Sequence, residues 1–141
     1  MRYGKYWLLM MILLLALIAT CAGAAETEKE KRFVAKIDPD GVQRVEILGG
    51  SYFFDPNYIV VKVNVPVELL LEKESGYTPH NFILNAPEAG IEVMKEMGKE
   101  PVTVKFTPTK PGKYEFRCDK KLLFFKSHRE KGMEGILEVT E

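Results

Sequence analysis

The side chains of this chain that can do metal chemistry are few and lie in two short segments. Both histidines, His80 and His128, one of the two cysteines, Cys118, and Met133 belong to them. His80 stands alone in Thr78–Phe82, whereas the other three follow one another downstream. A lone histidine is usually an ordinary surface or core residue, but this combination of donor types is typical of a metal site.

The chemistry of the four side chains indicates which metal they suit. A thiolate and two imidazoles form a trigonal donor set, and a weakly held thioether on its axis completes the ligand set of blue copper. Thiolate sulfur favours Cu(I) and imidazole suits both oxidation states, so the site can exchange one electron. We predict one copper ion per chain, cycling between Cu(I) and Cu(II), with His80, Cys118, His128 and Met133 as ligands.

Two other methionines lie between these segments. Met94 and Met97 are three residues apart in a stretch that we interpret as a loop. Methionine is often a flexible filler of gaps in a core, so simple packing is the favoured interpretation. They remain reserve axial or Cu(I) ligands.

The elements that must position the ligands are predicted to be short strands. Regular apolar or alternating runs, separated by Gly and Pro turns, predict an all-β sandwich or barrel of antiparallel strands. The odd positions from Val61 to Leu71 are apolar, which places one face of that stretch in a core, and Pro66 predicts a break within it. The predicted strands are Arg32–Ile37, Gln43–Leu48, Tyr52–Phe54, Tyr58–Val65, Val67–Glu72, Asn81–Leu84, Val102–Phe106, Lys113–Cys118 and Gly135–Val139.

This pattern places the ligands at strand ends. Cys118 closes one predicted strand and Met133 comes just before the next, so the loop between two neighbouring strands carries three ligands. His80 stands at the start of a third strand. We expect it to reach the site from across the sandwich.

These residues carry a resemblance to the cupredoxins, the family of plastocyanin and azurin. The matching pieces are Pro79–Phe82, Pro111–Cys118 and Gly132–Gly135, within a resemblance that spans roughly residues 50–141. It implies a Greek-key β-sandwich over residues 32–141, one copper ion, and one-electron transfer outside the cytoplasm. It also implies that Asn81 hydrogen-bonds across to the cysteine loop, restraining the ligands and tuning the potential.

The loop between Cys118 and His128 departs from the family pattern. Nine residues separate the two ligands, more than in familiar cupredoxins. Loop closure does not forbid this, because its cost rises only ~0.6 kcal/mol per doubling of length. The longer loop leaves open whether the site is blue, green or red. The segment Asp119–Lys126 is predicted to form one or two helical turns capped by Asp119.

The same loop suggests a surface. Leu122–Phe125 is an apolar run, and we expect two of its residues to plug the end of the sandwich; the alternative is an exposed patch that docks a redox partner. Between Lys113 and Lys131 there are seven basic and three acidic residues. A basic rim would steer an acidic partner to Leu122–Lys131, although a merely solvated face is an equal alternative.

The first residues resemble an export signal. Arg2 and Lys5 precede an uncharged run, Tyr6–Ala25, which ends in small residues, so we predict a signal peptide over 1–24. Residues 25–31 are then a flexible segment, and the protein is periplasmic or otherwise extracytoplasmic. An uncleaved anchor or lipidation of Cys21 are the alternatives, and only these would place it at a membrane.

Processing changes the composition. The remaining chain has 18 basic and 20 acidic residues, which gives no electrostatic footprint for nucleic acid, and we expect none as partner. Cys118 is its only cysteine, so an internal disulfide is excluded.

Three functions compete on these observations. The leading one is an electron carrier that transforms no substrate. The second is a copper-handling module that stores, delivers or senses Cu(I), with the long loop as a mobile gate. The third is a red-copper enzyme in which Glu130 or Glu134 replaces Met133. We rank it last because no acid–base constellation is evident, and so we expect no enzyme.

Overall fold

The computed structural model describes residues 29–141, and the predicted signal peptide lies outside them. Within this range ten strands form two sheets that pack face to face, which confirms the predicted all-β sandwich. No helix of the described part is long and apolar enough to cross a membrane. The strands are β1 (Arg32–Val34), β2 (Gln43–Gly50), β3 (Phe53–Asp55), β4 (Tyr58–Lys62), β5 (Val67–Lys73), β6 (His80–Ala86), β7 (Ile91–Met97), β8 (Val102–Phe106), β9 (Gly112–Arg117) and β10 (Glu134–Thr140).

The sheets are mixed rather than antiparallel. The larger has the strand order β1-β4-β10-β9-β6-β7 and the smaller β3-β2-β5-β8. The pairs β1/β4, β4/β10 and β2/β5 are parallel, so the prediction of antiparallel strands was wrong for these three. Alternation with a period of two reports which face of a strand is buried, and it carries no information about the direction of the neighbouring strand.

The core lies between the two sheets and is centred on three phenylalanines. Phe54 contacts Phe82 and Phe116 edge-on, with ring centroids 5.7 and 5.4 Å apart. The alternation predicted from Val61 to Leu71 is confirmed, with buried residues at both ends and a turn near Pro66 between β4 and β5. This aromatic core supports the end of the larger sheet at which the candidate ligands collect.

Strand β7 is absent from the strands predicted by the sequence. Its first half alternates, with Ile91 and Val93 buried, but Lys95 interrupts the apolar pattern, because β7 is an edge strand of the sheet. The prediction of a loop around Met94 and Met97 was therefore wrong. Met97 is buried at 4% exposure, as packing requires, whereas Met94 is 71% exposed and packs against nothing in the core.

His80 also reaches the site by a different route from the expected one. It is the first residue of β6, and β6 pairs directly with β9, the strand that leads to Cys118. The expectation that His80 comes from across the sandwich was therefore wrong. Both candidate ligands lie at the ends of adjacent strands of one sheet, so hydrogen bonds of the sheet hold their spacing.

Candidate metal centre

Four side chains collect at one end of the larger sheet. His80 begins β6, Cys118 follows β9 and Met133 precedes β10. Because β9 is antiparallel to both β6 and β10, the start of each neighbour lies beside the end of β9. His128 comes from the connection between β9 and β10, just before a 3₁₀ turn at Arg129–Lys131. All four side chains are buried.

Three donor atoms form a compact triangle. The Nδ1 atoms of His80 and His128 are 3.1 Å apart, and Cys118 Sγ lies 4.0 Å from the first and 3.5 Å from the second. The point equidistant from the three atoms in their plane is about 2.1 Å from each. This is close to the distances of roughly 2.0–2.3 Å at which imidazole nitrogen and thiolate sulfur bind a metal ion such as zinc. The triangle therefore has the dimensions of a trigonal metal site.

Burial sets the protonation of these donors. Burial is the main reason why the pKa of His80 is lowered to about 4, and the nearby His128 adds to the effect. Burial also lowers the pKa of His128 and raises that of the Cys118 thiol. Both imidazoles are thus neutral near pH 7 and can each offer a lone pair, whereas a metal must displace the thiol proton on binding.

Met133 is fixed by its backbone to two of the other candidates. Its carbonyl oxygen accepts a hydrogen bond from Cys118 N–H at 3.0 Å, and its own N–H donates to the carbonyl oxygen of His128 at 3.0 Å. Its side chain is fully buried, with the methyl group against Gly49. The position of Met133 is therefore set by the same connections that place Cys118 and His128.

Asn81 joins the first segment to the second. Its backbone N–H points at Cys118 Sγ from 3.4 Å, and its side-chain amide exchanges two hydrogen bonds with Asp119, of 2.6 and 3.0 Å. The carboxylate of Asp119 is therefore engaged with Asn81 and caps no helix. The resemblance implied a role for Asn81 but not its partner. Asp119 is that partner, although its position in the sequence predicts a helix cap.

The long loop is closed at its base. His128 N–H donates a 2.8 Å hydrogen bond to the carbonyl oxygen of Lys120, so residues 121–127 form a lobe outside the ligand cluster. The predicted helical turn over Asp119–Lys126 does not form; the 3₁₀ turn of this loop lies at Arg129–Lys131 instead. Ser127 stabilises that turn, because its Oγ accepts from Glu130 N–H while Glu130 Oε2 accepts from Ser127 N–H.

A family model described as a cupredoxin-like domain matches residues 9–133. The chain belongs to this family. Together with the clustered nitrogen and sulfur donors, the family points to copper as the metal of the site. No curated protein matches the chain.

Solved structures share the cupredoxin-like fold at low sequence identity. The metal-binding domain of the Cu(I)-exporting P-type ATPase CopA of Streptococcus pneumoniae D39, with Cu(I), has a TM-score of 0.60 and 21% identity over 80% of this chain and 99% of that one. Reduced auracyanin of Roseiflexus castenholzii has a TM-score of 0.55 and 21% identity, over 70% and 97%. A multicopper oxidase has a TM-score of 0.58 and 14% identity, over 78% and 47%. These likenesses show the fold alone.

The two carboxylates considered as replacements for Met133 are engaged elsewhere in this cupredoxin-like domain. Glu130 accepts two hydrogen bonds from Ser127, and Glu134 lies 3.4 Å from Arg129. Both are exposed, whereas Met133 is fully buried. Of these three candidates for the fourth ligand, only Met133 is buried like the donors of the triangle.

A cavity of about 530 Å³ opens beside His128, the one member of the cluster that lines it. The ring of Tyr52 stands edge-on to His128 at 5.0 Å, and Lys131 Nζ lies 4.0 Å above the Tyr52 ring. Tyr52 lies far from His128 in the sequence and is not one of the donor types in the predicted ligand set, so this contact could not be predicted from the sequence. The other lining residues are Tyr77, Thr78, Pro79, Lys120, Lys121, Leu122, Phe125 and Lys126.

The apolar run of the lobe is exposed. Leu122, Leu123, Phe124 and Phe125 are between 63% and 98% exposed, so the expectation that two of them plug the sandwich was wrong. The hydrogen bond between Lys120 and His128 closes the loop at its base, and the run lies in the lobe outside that bond. Lys121 and Lys126, which flank the run, form no ion pair within residues 29–141.

Proposed function

We propose that this protein is an exported, mononuclear copper-binding electron carrier. His80, Cys118 and His128 are the equatorial ligands of a type 1-like site, and Met133 is the axial ligand. The observation that carries the proposal is the donor triangle, whose centre lies at bonding distance from two imidazoles and a thiol. The family membership supports copper as the occupant.

The ligands are suited to electron exchange because their positions are held independently of the metal. The backbone N–H of Cys118 donates a hydrogen bond to Met133, and its sulfur accepts one from the backbone N–H of Asn81. The backbone of His128 is hydrogen-bonded in the same way to that of Lys120 and of Met133. When bound, copper supplies the one-electron couple between Cu(II) and Cu(I). A ligand set that moves little between the two oxidation states keeps the reorganisation energy of electron transfer small. The buried thiolate and thioether donors favour the reduced ion.

The edge of His128 is the proposed route for electrons. It faces the cavity, whereas His80, Cys118 and Met133 do not line it. A partner that docks on Leu122–Lys131 therefore approaches the cluster through a single imidazole. The exposed apolar lobe supplies contact area and the lysines of the rim favour an acidic partner.

A copper-handling role is the second candidate. It is supported by the likeness to the metal-binding domain of a Cu(I)-exporting ATPase, and by the exposed lobe of residues 121–127 beside the cluster. In this role the chain would store, deliver or sense Cu(I). A catalytic role is less well supported, because Glu130 and Glu134 are exposed and engaged with other residues. We infer a carrier and not an enzyme.

Spectroscopy of the purified protein tests the proposal. Loading with Cu(II) should produce an intense visible thiolate-to-copper band and a narrow copper hyperfine splitting in paramagnetic resonance. The variant Cys118→Ser should lose the band, and a band that persists would exclude Cys118 as the ligand. A Cu(I) form that resists oxidation would favour copper handling, whereas a spectrum perturbed by azide would favour an open enzyme site. Mass measurement of the exported protein tests the predicted cleavage.

A further inference from the structure

Met97 lies beside the ligand cluster, although the proposed ligand set does not use it. It is the last residue of β7 and pairs directly with His80, the first residue of β6. Residues that face each other across an antiparallel pair have their side chains on the same face, with Cβ atoms about 4.5–5.5 Å apart. Both side chains are buried, so the Met97 thioether lies on the same inner face as the His80 imidazole.

Met97 and Met133 meet at one glycine. A Cβ atom on Gly49 would lie 2.8 Å from the methyl carbon and 3.2 Å from the sulfur of Met97, and 3.4 Å from the methyl carbon of Met133. The thioether of Met97 therefore occupies the space that a side chain at position 49 would fill, and the methyl group of Met133 borders it. Gly49 is on β2, in the opposite sheet, so the two methionines meet between the sheets.

We propose that Met97 is a second thioether ligand for copper in its reduced state. The inference rests on the proposed function, because it concerns the same copper site. Thioether sulfur is a soft donor that selects Cu(I). A site with two thioethers beside the thiolate would therefore prefer the reduced ion more strongly than a site with Met133 alone. Copper handling and a high reduction potential would both follow from this preference.

Ligation by Met97 requires a movement of its side chain and not of strand β7. Methionine has three rotatable side-chain bonds, so its sulfur can shift while its backbone stays paired. The next residue, Gly98, has no atom within 4 Å of its Cβ position, so the chain beyond Met97 is uncrowded. The sheet thus fixes the root of the side chain, and rotation about its own bonds is what would bring the sulfur to the metal.

The wild-type protein permits the first test. With methyl-¹³C methionine, titration of Cu(I) should move the methyl resonances of Met97 and Met133, while that of Met94, which is exposed on the same strand, stays in place. An unmoved Met97 resonance in protein that has bound Cu(I) would overturn the inference. If the wild-type protein bound no copper, or bound it without Cys118, the proposed function itself would fail.

Matched variants provide the second test. Met97→Leu keeps the apolar volume of the side chain, and Met94→Leu makes the same change outside the site. We expect Met97→Leu to weaken Cu(I) binding about tenfold, measured by competition with a chromogenic Cu(I) chelator, with Cu(II) binding little changed. That difference corresponds to a fall of about 59 mV in reduction potential. X-ray absorption of the Cu(I) protein should show one sulfur fewer than in the wild type. Equal Cu(I) affinities and sulfur counts for the two variants would show that Met97 only packs.

Discussion

His128 N–H donates a 2.8 Å hydrogen bond to the carbonyl oxygen of Lys120. This one bond brings the two ends of the long loop together, although seven residues lie between them. The histidine is therefore positioned as if the connection from Cys118 were short. The apolar run of the lobe beyond the bond is exposed, and the lobe lies outside the cluster of candidate ligands.

Removal of the lobe should leave the copper site intact. A hydrogen bond from N–H to C=O across two intervening residues is that of a β-turn, so Asn-Gly in place of residues 121–127 can keep the bond between Lys120 and His128. We expect the visible band and the reduction potential to remain those of the full-length loop. Ser127→Ala is the control, because the deletion also removes the contact of Ser127 with Glu130. A lost or displaced band, with Ser127→Ala normal, would mean that the lobe shapes the site.

The lysines of the lobe should control the rate of electron exchange with charged reagents. We expect Lys121→Glu with Lys126→Glu to slow oxidation of the Cu(I) protein by anionic ferricyanide several-fold at low salt, with the difference fading as salt screens it. Stopped-flow absorbance measures the rates. Each single variant, Lys121→Glu or Lys126→Glu, is compared with Lys110→Glu, which makes the same change of charge at an exposed lysine before the opposite end of β9. If this remote change slowed the reaction equally, only the net charge of the protein would matter.

Asn81 should stabilise the site through its side chain. Asn81→Ala removes both hydrogen bonds to Asp119 and leaves Asp119 N–H without this partner. We expect the free energy of unfolding of the metal-free protein to fall by about 1–3 kcal/mol, measured by urea denaturation. Asn85→Ala is the control, because Asn85 is exposed on the same strand, β6. A loss no larger than that of the control would show that the amide bonds carry little net stability.

Glu138 should make stability depend on pH. Its pKa is lowered chiefly by the hydrogen bond from the Tyr58 hydroxyl at 2.9 Å, and also by Lys113 and Arg32. A carboxylate with a lowered folded-state pKa stabilises the fold above its ordinary pKa, and this contribution is lost as the pH falls towards the folded-state value. We expect Glu138→Gln to lower the melting temperature at pH 7, and the gap to the wild type to close in acid.

The control for this prediction is Glu92→Gln, since Glu92 is exposed on β7 and forms no ion pair among residues 29–141. Melting temperatures of the three proteins from pH 3 to pH 7 make the comparison. A gap between Glu138→Gln and the wild type that stayed constant over this range would mean that the effect is one of shape and not of charge.

Much of the donor chemistry can be predicted from the sequence, because it depends on residue type and order. His80, Cys118, His128 and Met133 stand out since the chain has so few soft donors and imidazoles, and their order places them at the ends of strands. The sandwich can be predicted for a similar reason. Burial of one face of a strand leaves a period of two in the sequence, as it does from Val61 to Leu71.

Only the tertiary structure decided how these pieces meet. The pairing of β6 with β9 puts His80 in the same sheet as Cys118, and the pairing of β7 with β6 puts Met97 beside His80. The hydrogen bond between Lys120 and His128 closes the loop, and Leu122–Phe125 are exposed in the lobe outside it. Strand neighbours and loop closure depend on hydrogen bonds between distant backbone groups, which all residue types except proline can both donate and accept. The chemistry of the side chains could therefore be predicted from the sequence, whereas the backbone pairings that set the geometry of the site could not.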